Sequence, residues 1–126
     1  INNNAERLST RSVRAGVAMS AEQRAADKAA VVEMFYYAYE GYLEHAFPQG
    51  ELGALSCTGR PFDLIKIPAV TLVDTLDTLA ILGNASAFRR AVELIHSAFP
   101  KLSFDFDVNV SVFESNIRLL GGLLSG

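Results

Sequence analysis

The residue types and spacings best suited to chemistry lie late in the sequence. Glu114 and Arg118 stand four apart in the run Val112-Phe113-Glu114-Ser115-Asn116-Ile117-Arg118-Leu119-Leu120-Gly121-Gly122-Leu123-Leu124-Ser125. At helical spacing this puts a carboxylate and a guanidinium on one face. The carboxylate is a candidate general acid or base, and the arginine a candidate charge partner or substrate ligand. Gly121 and Ser125 continue that face, so beyond the charged pair it carries almost no side chain. A helix or a ligand could approach closely there. Each glycine inside a helix costs about 1 kcal/mol relative to alanine, and close approach is the physical reason to accept that cost. Ser111 precedes Glu114 by three residues, which matches a capping box. A carboxylate spent on its own cap suits a base or charge stabiliser better than a proton donor, so the two roles of Glu114 compete.

Asp74 and Asp77, three apart in an apolar segment, are the next candidates. Buried carboxylates need partners. We read both as structural acidic residues, Asp74 helping to cap its helix and Asp77 bonding to a neighbour; a carboxylate pair facing a sugar or a metal is the alternative. Neither His45 nor His96 has a second histidine spaced to help it bind metal, and no metal ligand is assigned in this chain. Cys57 is the single cysteine, so any bridge needs a partner elsewhere. Asn84-Ala85-Ser86 and Asn109-Val110-Ser111 are candidate glycosylation acceptors. Asp105 and Asp107 alternate with Phe104 and Phe106, as the rim of an acidic cleft or as a wet face.

Elements must position these groups. The chain has 126 residues, 50% of them hydrophobic, with a net charge of -3, enough for one modest domain. No basic run supports a nucleic-acid surface, and no run of apolar residues is long enough to span a membrane. There is no Gly-rich phosphate loop, CxxC, HExxH or nucleophile elbow. Residues 1–19 form a polar leader, expected to be mobile. The spacing predicts four helices, at about 20–47, 71–83, 86–99 and 112–125, hence an all-α fold. Ser20 and Gln23 form the first capping box, and the first apolar face runs through Val31, Met34 or Phe35, Ala38, Tyr42 and Ala46, with Val32, Tyr39 and Leu43 beside it. Pro48 stops this helix. Residues 49–68 form a long apolar connector, and helices one and two are expected to make a hairpin around it. Thr71 opens the second helix, Gly83 and Asn84 end it, and Ser86 opens the third, whose stripe is Phe88, Ala91, Val92, Ile95 and Phe99. Pro100 closes that helix, and residues 102–110 follow as one extended segment or an ordered loop. Phe113, Ile117, Leu120 and Leu124 form the apolar stripe of the last helix. The second helix is apolar almost all round, which predicts burial, or exposed apolar surface if partners are lacking.

Phe113 to Ser125 resembles the FE-x-x-IR-x-x-GGLLS signature of glycoside hydrolase family 47, the class I α-mannosidases, and Leu72-Val73-Asp74-Thr75-Leu76-Asp77-Thr78-Leu79 resembles the family's second signature. Within the family the chain is similar to the ER degradation-enhancing mannosidase-like proteins. That likeness rests on Met34 to Tyr39, Gly41 to Pro48, Glu51-Leu52 with Cys57-Thr58-Gly59, and Asp105 to Glu114. The stretch between Arg60 and Thr71 departs from the family pattern by being shorter.

The resemblance implies the N-terminal portion of an (α/α)7 barrel, with residues 20–126 supplying its first helices. It implies a calcium-dependent (Ca2+), inverting hydrolase of α1,2-linked mannose on high-mannose N-glycans in the ER lumen, serving the degradation of misfolded glycoproteins. Glu114 then matches the catalytic carboxylate assigned as general acid, and Arg118 a sugar-pocket arginine. Cys57 matches a cysteine that pairs far downstream, and a thiol oxidoreductase is an implied partner. The second carboxylate and the calcium ligands would lie outside this chain. A barrel of seven hairpins cannot close from four helices, so the expectation is an excerpt or a truncated product, inactive by itself. The alternative for the whole protein is a lectin-like glycan binder with little turnover.

Overall fold

The N-terminal half of the first helix, α1 (Ala21–His45), begins on a local cap. Ser20 takes the extended backbone of an N-cap and its hydroxyl accepts from the Gln23 N–H. The Gln23 side chain donates to Asp27 instead of reaching back, so only half of the predicted capping box forms. This is a computed structural model that describes residues 19–99, 101 and 103–126. Residues 1–18 of the expected leader, Pro100 as the helix stop and Leu102 lie outside the described residues.

Helix α1 packs through Phe35, Tyr39, Tyr42, Leu43 and Ala46. Val31, Met34 and Ala38 of the expected face are exposed. The large aromatic side chains bury more area per residue and so decide which face docks. Tyr42 is fully inside, with its hydroxyl donating to the Gln49 carbonyl at 2.8 Å.

The connector is more ordered than its composition predicts. It contains a two-stranded antiparallel hairpin, β1 (Glu51–Gly53) and β2 (Thr58–Arg60), with Glu51 opposite Arg60 and Leu52 opposite Gly59. The Arg60 and Glu51 side chains close an ion pair of 2.9 Å across it. The hairpin packs on α1. Tyr39 and Tyr42 of α1 share one buried core with Leu72 and Val73 of the segment that follows the connector.

The second helix is two short ones, α2 (Val70–Asp74) and α3 (Leu76–Ile81). It starts one residue before Thr71, behind Ala69 in a left-handed conformation (φ 54°). That conformation costs a non-glycine residue about 1–2 kcal/mol. It is held in place by Ala69 N–H donating to Pro48 O, and by the N–H and hydroxyl of Thr71 donating to Gly50 O. The break falls at Thr75, whose hydroxyl turns back to Leu72 O at 3.0 Å. Leu72, Val73, Leu76 and Leu79 are buried, so most of this segment is covered, and Ala80 and Ile81 at its end are exposed. Gly83 ends it with φ 73°, which a glycine adopts without strain.

Asn84 serves both neighbours: its N–H donates to Leu79 O at 3.3 Å and, with Gly83 N–H on Ala80 O, closes the preceding helix as expected, while its side chain caps the next, α4 (Ala85–Ala98). Its Oδ1 accepts from Ala87 N–H at 3.0 Å and from the Ser86 hydroxyl at 2.8 Å, so Asn84 and not Ser86 is the N-cap. Its amide nitrogen donates to the Tyr36 hydroxyl, tying α4 to α1. Ala91, Ile95 and Phe99 are buried as the stripe predicts, while Val92 is exposed with the charged residues Arg89, Arg90 and Glu93.

Residues 103–110 form no strand. Phe106 N–H donates to Phe104 O and Val108 N–H to Phe106 O, a chain of tight turns. The rings of Phe104 and Phe106 pack on Phe99. The last helix is α5 (Val112–Glu114), a wide π turn (Ser115–Leu120) and α6 (Gly121–Ser125). Together α2 and α3 form the central layer, between α4 on one side and this last helix on the other. The structure is predominantly helical. The last helix, however, docks the opposite way from its apolar stripe: Phe113 is 70% exposed and Leu124 78%. The polar and glycine face is the one turned inward.

Candidate functional site

The inward face of the last helix starts from a cap that leaves its carboxylate free. The Ser111 hydroxyl accepts from Glu114 N–H at 3.3 Å. A full capping box would return the Glu114 side chain to Ser111 N–H. That N–H instead donates to Leu64 O at 2.7 Å. The Glu114 carboxylate is released and meets Arg118: Nε donates to Oε2 at 2.7 Å, with the Glu114 side chain 16% exposed. The return half of the capping box is thus replaced by the connector, which satisfies the donor that the Glu114 side chain would have used.

Arg118 reaches a second carboxylate. Its Nη1 donates to Asp74 Oδ2 at 2.6 Å. The expectation that Asp74 caps its own helix is not met, because Asp74 is the last residue of α2 and not in its first turn. Asp77 lies one turn on, with its Oδ2 3.5 Å from the Ser125 hydroxyl. The acidic face of α2 and α3 therefore runs along the polar face of the last helix, Asp74 opposite Arg118 and Asp77 opposite Ser125. The hydrogen bonds from Arg118 to Glu114 and, next, to Asp74 push the guanidinium pKa further up, and so keep it charged.

Glycine makes the seam close. A Cβ at Gly122 would stand 2.9 Å from Val73 O, and one at Gly121 would meet nothing closer than Asn116 O at 3.5 Å. Regular helical spacing puts Gly121 on the charged face. The π turn moves the contact on by one residue: Gly121 N–H reaches back five residues to Asn116 O. Within the same turn, Ser115 Oγ has no hydrogen-bond partner among the described residues.

Arg118 also lies over the Phe62 ring, with Cζ 5.0 Å from its centroid. Arg118, Asp74 and Phe62 share a cleft of about 230 Å³ with Gly50, Glu51, Val70 and Thr71. Sequence reasoning missed Phe62, which it counted as connector apolar bulk. No local signal marks it, because its contact spans 56 positions.

The other candidates stay apart from this site. Cys57 is exposed at the turn of the β hairpin, at the edge of a larger groove of about 700 Å³ between α1 and the hairpin. Asn84 spends its side chain on the α4 cap and on Tyr36, whereas Asn109 is exposed. Asp105 and Asp107 are exposed as well. Among the described residues no three His, Cys, Asp or Glu side chains converge as a metal site. The Asp74–Arg118–Glu114 cluster places a cation where a calcium ion would need open carboxylate oxygens, so it does not fit that ion.

The family model for glycosyl hydrolase family 47 matches residues 34–126. The mouse (Mus musculus) ER degradation-enhancing alpha-mannosidase-like protein 2 is 54% identical over 95 residues, covering 75% of this chain and 16% of that protein. Alpha-mannosidase I MNS4 of Arabidopsis thaliana is 50% identical over 92 residues, 73% of this chain and 14% of that protein. The ER degradation-enhancing alpha-mannosidase-like protein 1 of Saccharomyces cerevisiae is 38% identical over 109 residues, 78% of this chain and 14% of its own. The chain thus spans about a seventh of the length of the curated relatives it matches. Both the α2–α3 segment with its two aspartates and the helix of Glu114 and Arg118 fall inside the matched span, and the chain belongs to glycosyl hydrolase family 47.

Proposed function

We propose that the protein carrying this segment is an α-mannosidase that removes α1,2-linked mannose from high-mannose N-glycans in the ER lumen, within the degradation of misfolded glycoproteins. Support comes from the family match and from relatives named for alpha-mannosidase and for enhancing ER degradation. The observation that carries the reading is the carboxylate of Glu114, largely sheltered, paired with Arg118 and not consumed by its helix cap. In an inverting mechanism Glu114 protonates the leaving oxygen, and a second carboxylate activates water from about 6.5–9.5 Å away. Arg118 contacts the sugar. The described residues are the first helices of an (α/α)7 barrel in this reading, with the second carboxylate and the calcium ligands supplied elsewhere. Cys57, exposed and unpaired among the described residues, is free to bridge to a downstream cysteine or to a thiol oxidoreductase.

Glu114→Gln in the full-length protein tests this reading. Mannose release from a high-mannose glycan is expected to fall by about a hundredfold or more, with the melting temperature preserved. Unchanged release would sink the assignment. A second reading, glycan binding with little turnover, is favoured by one feature: Arg118 has N–H groups left over after bonding both carboxylates. It expects affinity to survive Glu114→Gln and to vanish in Arg118→Ala.

A further inference from the structure

Arg118 is held from three sides by three different parts of the chain. Glu114 takes its Nε from one turn earlier on the same helix, and Asp74 takes Nη1 from the end of α2. Phe62, from the connector, sets its ring beneath the guanidinium, with Arg118 Cζ over it 5.0 Å from the centroid. A structural ion pair needs one carboxylate. Two carboxylates fix the rotation of the planar group within its plane, and the aromatic ring fixes the plane itself. The platform is also fastened. Ile65 and Lys66 N–H donate to Phe62 O, and Ser111 N–H donates to Leu64 O. The connector that supports Arg118 therefore also holds the residue that caps the helix of Glu114.

We propose that Phe62 and Asp74 are positioning residues for Arg118. They hold its plane so that the N–H groups not bonded to protein remain as aimed donors to a saccharide oxygen in the adjoining cleft. The proposal rests on the reading of Arg118 as the sugar contact. An arginine left free over its rotatable bonds pays for its ordering on every binding event, and preorganisation removes that cost.

The test measures affinity for an oligosaccharide ending in α1,2-linked mannose, by titration calorimetry, in the full-length protein carrying Glu114→Gln so that nothing is hydrolysed. Phe62→Leu keeps the bulk and removes the π face, and is expected to weaken binding about tenfold. Phe62→Tyr keeps the face and is expected to stay within about twofold. Both should melt with the parent. Asp74→Asn is expected to weaken binding as Phe62→Leu does; if that variant does not fold, the Phe62 pair decides alone. Parent-like affinity in Phe62→Leu, or equal weakening in Leu and Tyr, overturns the positioning role. If Arg118→Ala binds as the parent does, or the parent itself does not bind, the sugar-contact reading falls and takes the proposal with it. If Arg118→Ala abolishes binding while Phe62→Leu leaves it intact, only the positioning role is lost.

Discussion

Two adjacent glycines on the last helix should respond to the same substitution with opposite signs. Replacing glycine by alanine inside a helix restricts the unfolded chain and gains about 1 kcal/mol where the methyl group has room. At Gly121 it has room, since the nearest atom outside its immediate surroundings is Asn116 O at 3.5 Å, ordinary contact. At Gly122 the new methyl would sit 2.9 Å from Val73 O and 3.3 Å from Val73 C, both backbone atoms. Neither can swing aside, so α2 and α6 must separate along the seam that also holds Arg118 to Asp74. Overpacking of this kind costs about 1–3 kcal/mol, which outweighs the helical gain. For a chain of this size 1 kcal/mol corresponds to about 4 °C in Tm. Gly121→Ala is therefore expected to raise Tm by about 4 °C, and Gly122→Ala to lower it by up to about 8 °C. Thermal unfolding followed by circular dichroism, supported by urea midpoints, reads the difference directly. A rise in both variants would refute the close approach of α6 to Val73, and the seam built on it.

Burial pushes the phenol pKa of Tyr42 far up, and burial also raises that of Tyr39, partly offset by Arg90. A folded-state value above the unfolded one means that stability is complete below about pH 10 and declines as pH rises from there toward the folded value; a flat stability profile above pH 10 would contradict it. Asn84→Ala removes the α4 cap and the bond to Tyr36 together, and is expected to cost about 1–2 kcal/mol in urea unfolding, with Asn84→Ser recovering part of it. Phe113→Ser is expected to change the stability of this chain by less than about 0.5 kcal/mol, because the ring is 70% exposed. A loss of several kcal/mol would restore the apolar stripe as the packed face.

Local rules carried far in this chain. Ser20 and Ser111 cap the helices they were expected to cap, Gly83 adopts the left-handed stop, and Glu114 meets Arg118 four residues on. Each of these follows from geometry inside one turn of helix, where neighbours in sequence are neighbours in space. The helical character and the candidate pair were legible for that reason. What the tertiary structure decided is which face of the last helix turns inward, that Asp74 and Phe62 complete the surroundings of Arg118, and that Leu64 frees Glu114 from its cap. Hydrophobic periodicity reveals that a stripe exists, but not what covers it. The π turn then shifts the register, so Gly122 and not Gly121 meets Val73. The contacts of Arg118 to Asp74 and Phe62 join positions 44 and 56 residues apart. No spacing rule reaches that far, because such contacts depend on how already formed helices share their faces.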